Sequence, residues 1–308
     1  MFRTSVGALA LALSFSATAA YGQVGFGGML PGPGTTHTTG SGGSYSGPGD
    51  LKAYDIWVGT YAYSAATRGT AAVNVCNAGD ANCADLNTDT TTGLLAVSAT
   101  NVGASPCNDS TNICTIKIWY NQGTGGSSYD FPIAAAFGAR ATLLVSCGGL
   151  TSAACGSSTS AAYETTAANY AVSQPYTVTV VSYRNASVAA GMKEMNVSGV
   201  LLGAGFFGAL NDSMCDAGSL INPSATDAVW HGKACSVNGA SSNFTIDTTN
   251  TAGNAGSNAT TGHVFFWDQV GVGSPWQGRI ASLGIENAAF NTTELAAANA
   301  ASKTILGY

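Results

Sequence analysis

The sequence predicts an all-β sandwich closed by one C-terminal helix. Three stretches carry that expectation. ICTIKIWYNQG, Ile113 to Gly123, alternates Ile116, Ile118 and Tyr120 against Thr115, Lys117 and Trp119. Alternation of β-branched and aromatic residues is a strand signal. HVFFWDQVGVGSPWQGRIASLGIENAAF holds two more strands, about His263 to Asp268 and Gly278 to Ile285, around a glycine-bearing turn. The Ile113 and Gly278 strands are expected at the centre of the sandwich. The third stretch, Thr292 to Leu306, has a helical pattern, with Asn291 placed to cap it and Glu294 to reach back as a capping box. Leu295, Ala298, Ser302, Ile305 and Leu306 form its inner stripe, and Gly307 stops it.

In chain order, residues 1–22 read as a secretory signal. Arg3 is the positive start, Val6 to Ala20 the apolar run, and Ala20-Tyr21-Gly22 a small-x-small cleavage site. Residues 23–49 are a Gly/Pro/Ser/Thr-rich linker, with His37 a solvated residue in it, and residues 50–308 suit one large domain. No later run approaches the ~18 apolar residues a membrane helix needs. The mature protein is therefore expected outside the cytoplasm, secreted, extracellular or periplasmic.

Eight cysteines agree with an oxidising compartment. Their spacing suggests nearest-neighbour pairs, Cys76 with Cys83, Cys107 with Cys114, Cys147 with Cys155 and Cys215 with Cys235, among about 105 connectivities open to eight cysteines. CxxC spacing is absent and the three histidines are scattered, so no metal site and no cofactor are expected. Without Arg3 the chain carries nine basic side chains against sixteen acidic ones, a net of −7. A chain so poor in cations has no patch to neutralise phosphates, which excludes nucleic acid as the natural partner. Few charges and abundant Gly, Ser, Thr, Asn and Ala suit a neutral, hydroxyl-rich ligand such as a polysaccharide. Nothing in the sequence speaks to oligomeric state.

Between the main signals, Tyr54, Ile56 and Val58 alternate, Ala62 to Arg68 fits a helical turn, and Ala71 to Cys76 a strand. Asp85-Leu-Asn87-Thr-Asp89 opens like a calcium loop, but Thr90 stands where the glycine belongs and no glutamate closes it, so an Asx-rich turn is the expectation. Tyr176 to Asn185 is a clear strand. Gly199 to Asn211 fits a glycine-punctuated strand pair, Ala228 to Gly239 a hairpin, and Thr248 to Gly262 a long mobile loop.

No GxSxG elbow, HExxH or GxxxxGK loop is present. His231 and His263 lie in strand-like apolar contexts, where a packed histidine is the simpler reading. A paired-carboxylate hydrolase stays open, because it needs only two Asp or Glu side chains facing a sugar.

Three blocks in order resemble the α-L-arabinofuranosidase B catalytic-domain family. They are TYAYSAATRGTAAVNV, CTIKIWYNQG and FFWDQVGVGSPWQGRIASLGIENAAFNTTELAAANAASKTILGY. The resemblance spans most of Tyr54 to Tyr308, with long gaps, and a looser likeness extends to laminin-G-like jelly rolls. It implies a concanavalin A-like jelly-roll sandwich and a retaining glycosidase with a glutamate nucleophile and an aspartate acid/base. Asp268 stands at the family's aspartate position. The nucleophile does not carry over, since the interval Gln122 to Tyr176 is shorter than the family's insertion; Glu194 and Glu164 are the nearest available glutamates. Asn121 replaces the family's aspartate, and no two cysteines are adjacent. Trp119, Asn121, Gln122, Trp267 and Trp276 are the residues expected to contact a sugar. A non-catalytic jelly roll binding a glycan or protein partner is the alternative, with exposed tryptophans as its platforms, and a structural subunit docking through its glycine-rich arm is a third.

Overall fold

The computed structural model describes residues 45–77, 82–97, 101–102, 105–106, 113–134, 139–151, 153–185, 192–197, 205–209, 212–223, 225–226, 228–267 and 276–308. The fold described below is that of the unit spanning residues 41–308.

Its frame is one antiparallel sheet. The strands used below are β1 (Ile56–Gly59), β2 (Ala71–Cys76), β3 (Cys83–Asn87), β4 (Thr115–Trp119), β5 (Thr142–Leu144), β6 (Cys155–Ser158), β7 (Tyr163–Glu164), β8 (Tyr176–Arg184), β9 (Met195–Val197), β10 (Trp230–Val237), β11 (Ser242–Ile246), β12 (Thr249–Gly253), β13 (Val264–Phe266) and β14 (Gly278–Glu286). Across the main sheet the order is β12-β11-β10-β8-β14-β6-β5-β4-β2-β3. β14 sits at its centre: one edge pairs with β8, while the other pairs with β6 along its first half and β1 along its second. β4 is third from the β3 end rather than central. A three-stranded sheet, β7-β13-β9, completes the frame around the core.

Each face of the main sheet buries a different layer. Val178 and Val180 of β8, Leu283 and Ile285 of β14, and Phe244 of β11 join Trp119, Phe266, Trp267 and Trp276 in the larger core. The intervening residues, Val181, Ala234 and Ala281, turn to the other face with Trp57 and meet helix α2 (Thr292–Leu306) through Leu295 and Leu306. A wholly buried aromatic or leucine side chain contributes about 1.5–3 kcal/mol by leaving water. The helix ends follow the predicted chemistry: the Asn291 side chain accepts from the backbone N–H groups of Thr293 and Glu294, and Gly307 adopts a left-handed φ of 68°.

β4 departs from strict alternation. Asn74 faces Ile118 while Val75 faces Ile116, so Lys117 is an extra residue on its strand. That bulge reverses the faces beyond it and turns Trp119 into the core, leaving Ile118 half-buried. Two further expectations are corrected. Ala228 to Gly239 is not a hairpin: β10 is a single strand, and the reversal into β11 comes at Asn238-Gly239, where Gly239 takes φ 54°. Gly232, the other turn-like residue, lies inside β10 because the Tyr308 hydroxyl and the Asn299 side chain lie where a Cβ would stand. Thr248 to Gly262 is not a loop throughout. β12 pairs along β11 after a turn at Asp247, and Thr260–Gly262 pairs with Tyr170–Val172. β12 is polar in sequence because it is an edge strand facing solvent.

Ala65–Thr67 is a 3-10 turn, as the Ala62 to Arg68 stretch suggested. Asp85 lies within β3, whereas the Asp89 carboxylate accepts from the backbone N–H groups of Thr91 and Thr92, an Asx turn. The described part of Gly199 to Asn211 holds one strand, Gly205–Ala209, and its partner, Asp212–Asp216, lies beyond that stretch. Disulfides join Cys76 to Cys83, Cys147 to Cys155 and Cys215 to Cys235; Cys114 is also disulfide-bonded, while Cys107 lies outside the described residues. No described helix is long and apolar enough to cross a membrane.

Candidate functional site

Two strands and a bend converge on one buried ionic cluster. The Val178, Val180, Ser182 series of β8 faces the larger core, and Lys233 of β10 is the cross-strand partner of Val180. Paired residues share a face, so Ser182 and Lys233 project together into apolar surroundings. Glu194 meets them there. It sits at the bend between Met192–Lys193 and β9, where the chain passes from one small sheet to the next. Its Oε1 accepts from Lys233 Nζ at 2.7 Å and from the Ser182 hydroxyl. The Glu194 side chain is 1 % exposed and that of Lys233 5 %. Lys233 Nζ also lies 4.9 Å from the Trp276 ring centroid, a cation–π contact. The second oxygen, Oε2, has no hydrogen-bond partner among the described residues.

A carboxylate so deep in a core is costly unless paired, and even a paired one rarely outperforms apolar packing. Glu194 thus has one satisfied oxygen beside one that is free among the described residues. Asn196, two residues on and 1 % exposed, adds to it: neither its Oδ1 nor its Nδ2 has a partner among the described residues.

The backbone next to Glu194 is tied to the stretch that carries the predicted aspartate. Trp267 donates its N–H to the Glu194 carbonyl at 2.8 Å, and Trp276 donates to the Trp267 carbonyl at 2.8 Å. Trp267 holds φ 80°, a left-handed conformation that costs a bulky residue of order 1–3 kcal/mol. Its ring packs against Phe266, Trp119 and Tyr163, with centroids 5.5, 6.2 and 6.4 Å away. Asp268, the residue after Trp267, lies outside the described residues.

The other predicted contacts have different surroundings. Trp119, Trp267 and Trp276 are at most 1 % exposed, so all three rings are core and present no open platform. The Asn121 carbonyl accepts from the N–H groups of Trp57 and Gly123, and its amide donates to the carbonyls of Asp55 and Gly126. Gln122 accepts from the Tyr63 N–H. Both amides are spent on holding the turn after β4 to the segment around β1. Glu164 pairs with Phe265, two strands over and two residues along from Glu194, so their backbones stand roughly 10–12 Å apart across the sheet.

Two acidic groupings escape sequence reasoning. Asp55 Oδ2 accepts from the Tyr170 hydroxyl and from Asn287 Nδ2, both at 3.1 Å. Beside it, Glu286 is raised above its ordinary carboxyl range by burial and then by the Asp55 charge, partly offset by the Asp55 N–H. His231 Nδ1 lies 2.7 Å from Asp247 Oδ2, with Nε2 2.9 Å from the Thr226 carbonyl. Burial works to raise Asp247, but the bonds from His231 and from the Gly232 N–H hold it below the usual range. Both ring nitrogens of His231 are engaged by oxygens, which leaves none free to act as a base. Among the described residues no cluster of three or more His, Cys, Asp or Glu could hold a metal.

No protein-family profile matches the chain, and no curated protein matches it by sequence. Solved structures do share its fold. A GH54 α-L-arabinofuranosidase soaked with a cyclic sulfate inhibitor is similar, with a TM-score of 0.64 at 13 % identity over 82 % of this chain. An arabinofuranosidase complexed with arabinofuranosyl-α-1,2-xylobiose gives 0.60 at 14 % identity over 80 % of this chain. This chain spans 63 % of the length of each of those structures. The fold is arabinofuranosidase-like.

Proposed function

We propose that the chain is an exported glycoside hydrolase acting on α-L-arabinofuranosyl groups of a polysaccharide, with Glu194 as nucleophile and Asp268 as acid/base. One observation carries this reading: the buried Glu194, with one oxygen anchored and one free, is bonded through its backbone to Trp267, the chain neighbour of Asp268. A retaining mechanism requires the two carboxyl groups about 5–5.5 Å apart. Oε2 of Glu194 attacks the anomeric carbon while Asp268 gives its proton to the departing glycosidic oxygen. The bond to that oxygen breaks and a glycosyl ester forms on Glu194. Asp268 then takes a proton from water, whose oxygen displaces Glu194 with a second inversion. Lys233 and Ser182, both on Oε1, fix the rotamer of the attacking group. Residues 1–22 act as the export signal, 23–49 as a linker and 50–308 as the catalytic unit.

The test is arabinose release from 4-nitrophenyl α-L-arabinofuranoside by correctly oxidised protein, with Glu194→Gln and Asp268→Asn beside it. Release by the native chain, lost in both variants and with retained anomeric configuration by NMR, supports the assignment. A folded native chain inactive on every arabinofuranoside overturns it. The second reading, a non-catalytic glycan-binding jelly roll, is favoured by the closure of Glu194 against Lys233 and predicts glycan binding that survives Glu194→Gln.

A further inference from the structure

A cavity of about 360 Å³ lies on the helix-bearing face of the main sheet, the side opposite Ser182. Its volume falls within the roughly 300–1,000 Å³ of small-molecule sites. One cross-strand row lines it: Trp230 of β10 faces Tyr183 of β8, which faces Arg279 of β14. The Tyr183 and Trp230 ring centroids are 5.8 Å apart, and the Arg279 guanidinium carbon lies 4.8 Å from the Tyr183 centroid. Stacking on Tyr183 uses the guanidinium face and leaves its edge, where the N–H donors point, for other partners. On that edge Arg279 makes one long contact to protein, from Nη1 to the Gly148 carbonyl at 3.4 Å. No carboxylate pairs with Arg279 among the described residues.

The rim is built to stay close. Trp230 Nε1 donates to Gly148 at 2.9 Å. Gly149 takes φ 89°, and a Cβ there would stand 2.9 Å from the Trp230 ring. On the opposite side Ala228 holds φ 57°, a strained conformation for a residue with a side chain. A chain of net charge −6 discourages anions everywhere except where it presents a cation.

We propose that this cavity binds a carboxylate-bearing pyranose, a uronic acid unit of a polysaccharide. The planar edge of Arg279 receives the carboxylate in bidentate fashion, and the sugar ring lies against the exposed Val229 side chain at the mouth, with Trp230 buried beneath it. The site is separate from the Glu194 cluster and stands or falls independently of the hydrolase reading.

The test is titration of the full-length oxidised protein with trigalacturonate, followed by tryptophan fluorescence and NMR. A neutral galactose trimer and inorganic phosphate serve as comparison ligands. Native protein should bind trigalacturonate, with the neutral trimer and phosphate each at least about tenfold weaker. Arg279→Gln should weaken trigalacturonate at least about tenfold at an unchanged thermal midpoint. Arg279→Lys, which keeps the charge without the planar fork, should bind less tightly than native protein and covers a Gln variant that fails to fold. Absence of binding to native protein, equal binding of the neutral trimer or of phosphate, or unchanged affinity in the folded Arg279 variants would overturn the assignment.

Discussion

Replacing Lys233 by methionine tests the ionic cluster most directly. Methionine keeps most of the aliphatic stem in the larger core and removes the ammonium that lies 2.7 Å from Glu194. What remains is a carboxylate 1 % exposed, held by Ser182 alone. Removing one partner of a buried ion pair costs about 3–5 kcal/mol, because the surviving charge stays desolvated without compensation. Against a total stability of roughly 5–15 kcal/mol, that loss moves the urea midpoint far. The companion variant, Glu194→Met with Lys233→Met, removes both charges and should recover most of the loss, leaving about 1–2 kcal/mol for the orphaned Ser182 hydroxyl. The assay is equilibrium urea unfolding of oxidised protein at one pH, with equal m-values required. A single-variant cost below about 1 kcal/mol would refute the argument, as would a double variant that loses the sum of the two single losses. If the double variant is stable and inactive, the pair serves chemistry at the expense of packing.

Three other outcomes follow from the same geometry. Glu286 is raised above 4.5 in the folded protein, so the unfolded chain releases its proton first and stability falls as pH climbs from the unfolded value to the folded one. Glu286→Gln should therefore raise the thermal midpoint at pH 7 and leave it unchanged well below pH 4.5, measured by scanning calorimetry. Asn291→Ala removes the cap of α2 and should cost about 1 kcal/mol by urea unfolding, while Asn291→Asp should cost far less. Opening the Cys215–Cys235 bridge with paired alanines frees a loop of separation 20 and should cost about 3 kcal/mol on the chain-entropy account.

Much of the fold was legible because local signals and tertiary packing agreed. The Thr292–Leu306 helix was readable from Asn291, Glu294 and Gly307, since caps act over a few residues. β8 and β14 were readable from alternation. What escaped depended on partners distant in sequence. The Lys117 bulge that buries Trp119 exists because β2 and β4 pair out of step, and no feature within ICTIKIWYNQG announces it. β12 is hidden in the sequence because its polar residues are those an edge strand shows to water. At the site, Glu194 stood out only as an available glutamate. Its pairing with Lys233 joins residues 39 apart, and the one usable sequence signal was a lysine inside the apolar run of β10. Trp267 and Trp276, expected as sugar contacts alongside the family resemblance, pack in the core instead, with a left-handed backbone at Trp267.

The bond from Trp276 to the carbonyl of Trp267 has an engineering consequence. It joins the end of β13 to the start of β14 at the sheet itself, which fixes the distance that any intervening segment has to span. Lengthening such a closed segment adds only about 0.6 kcal/mol per doubling. Residues 269–275 can therefore be exchanged for another sequence or another length, provided that Trp267, Trp276 and the Asp268 of the proposed chemistry are kept.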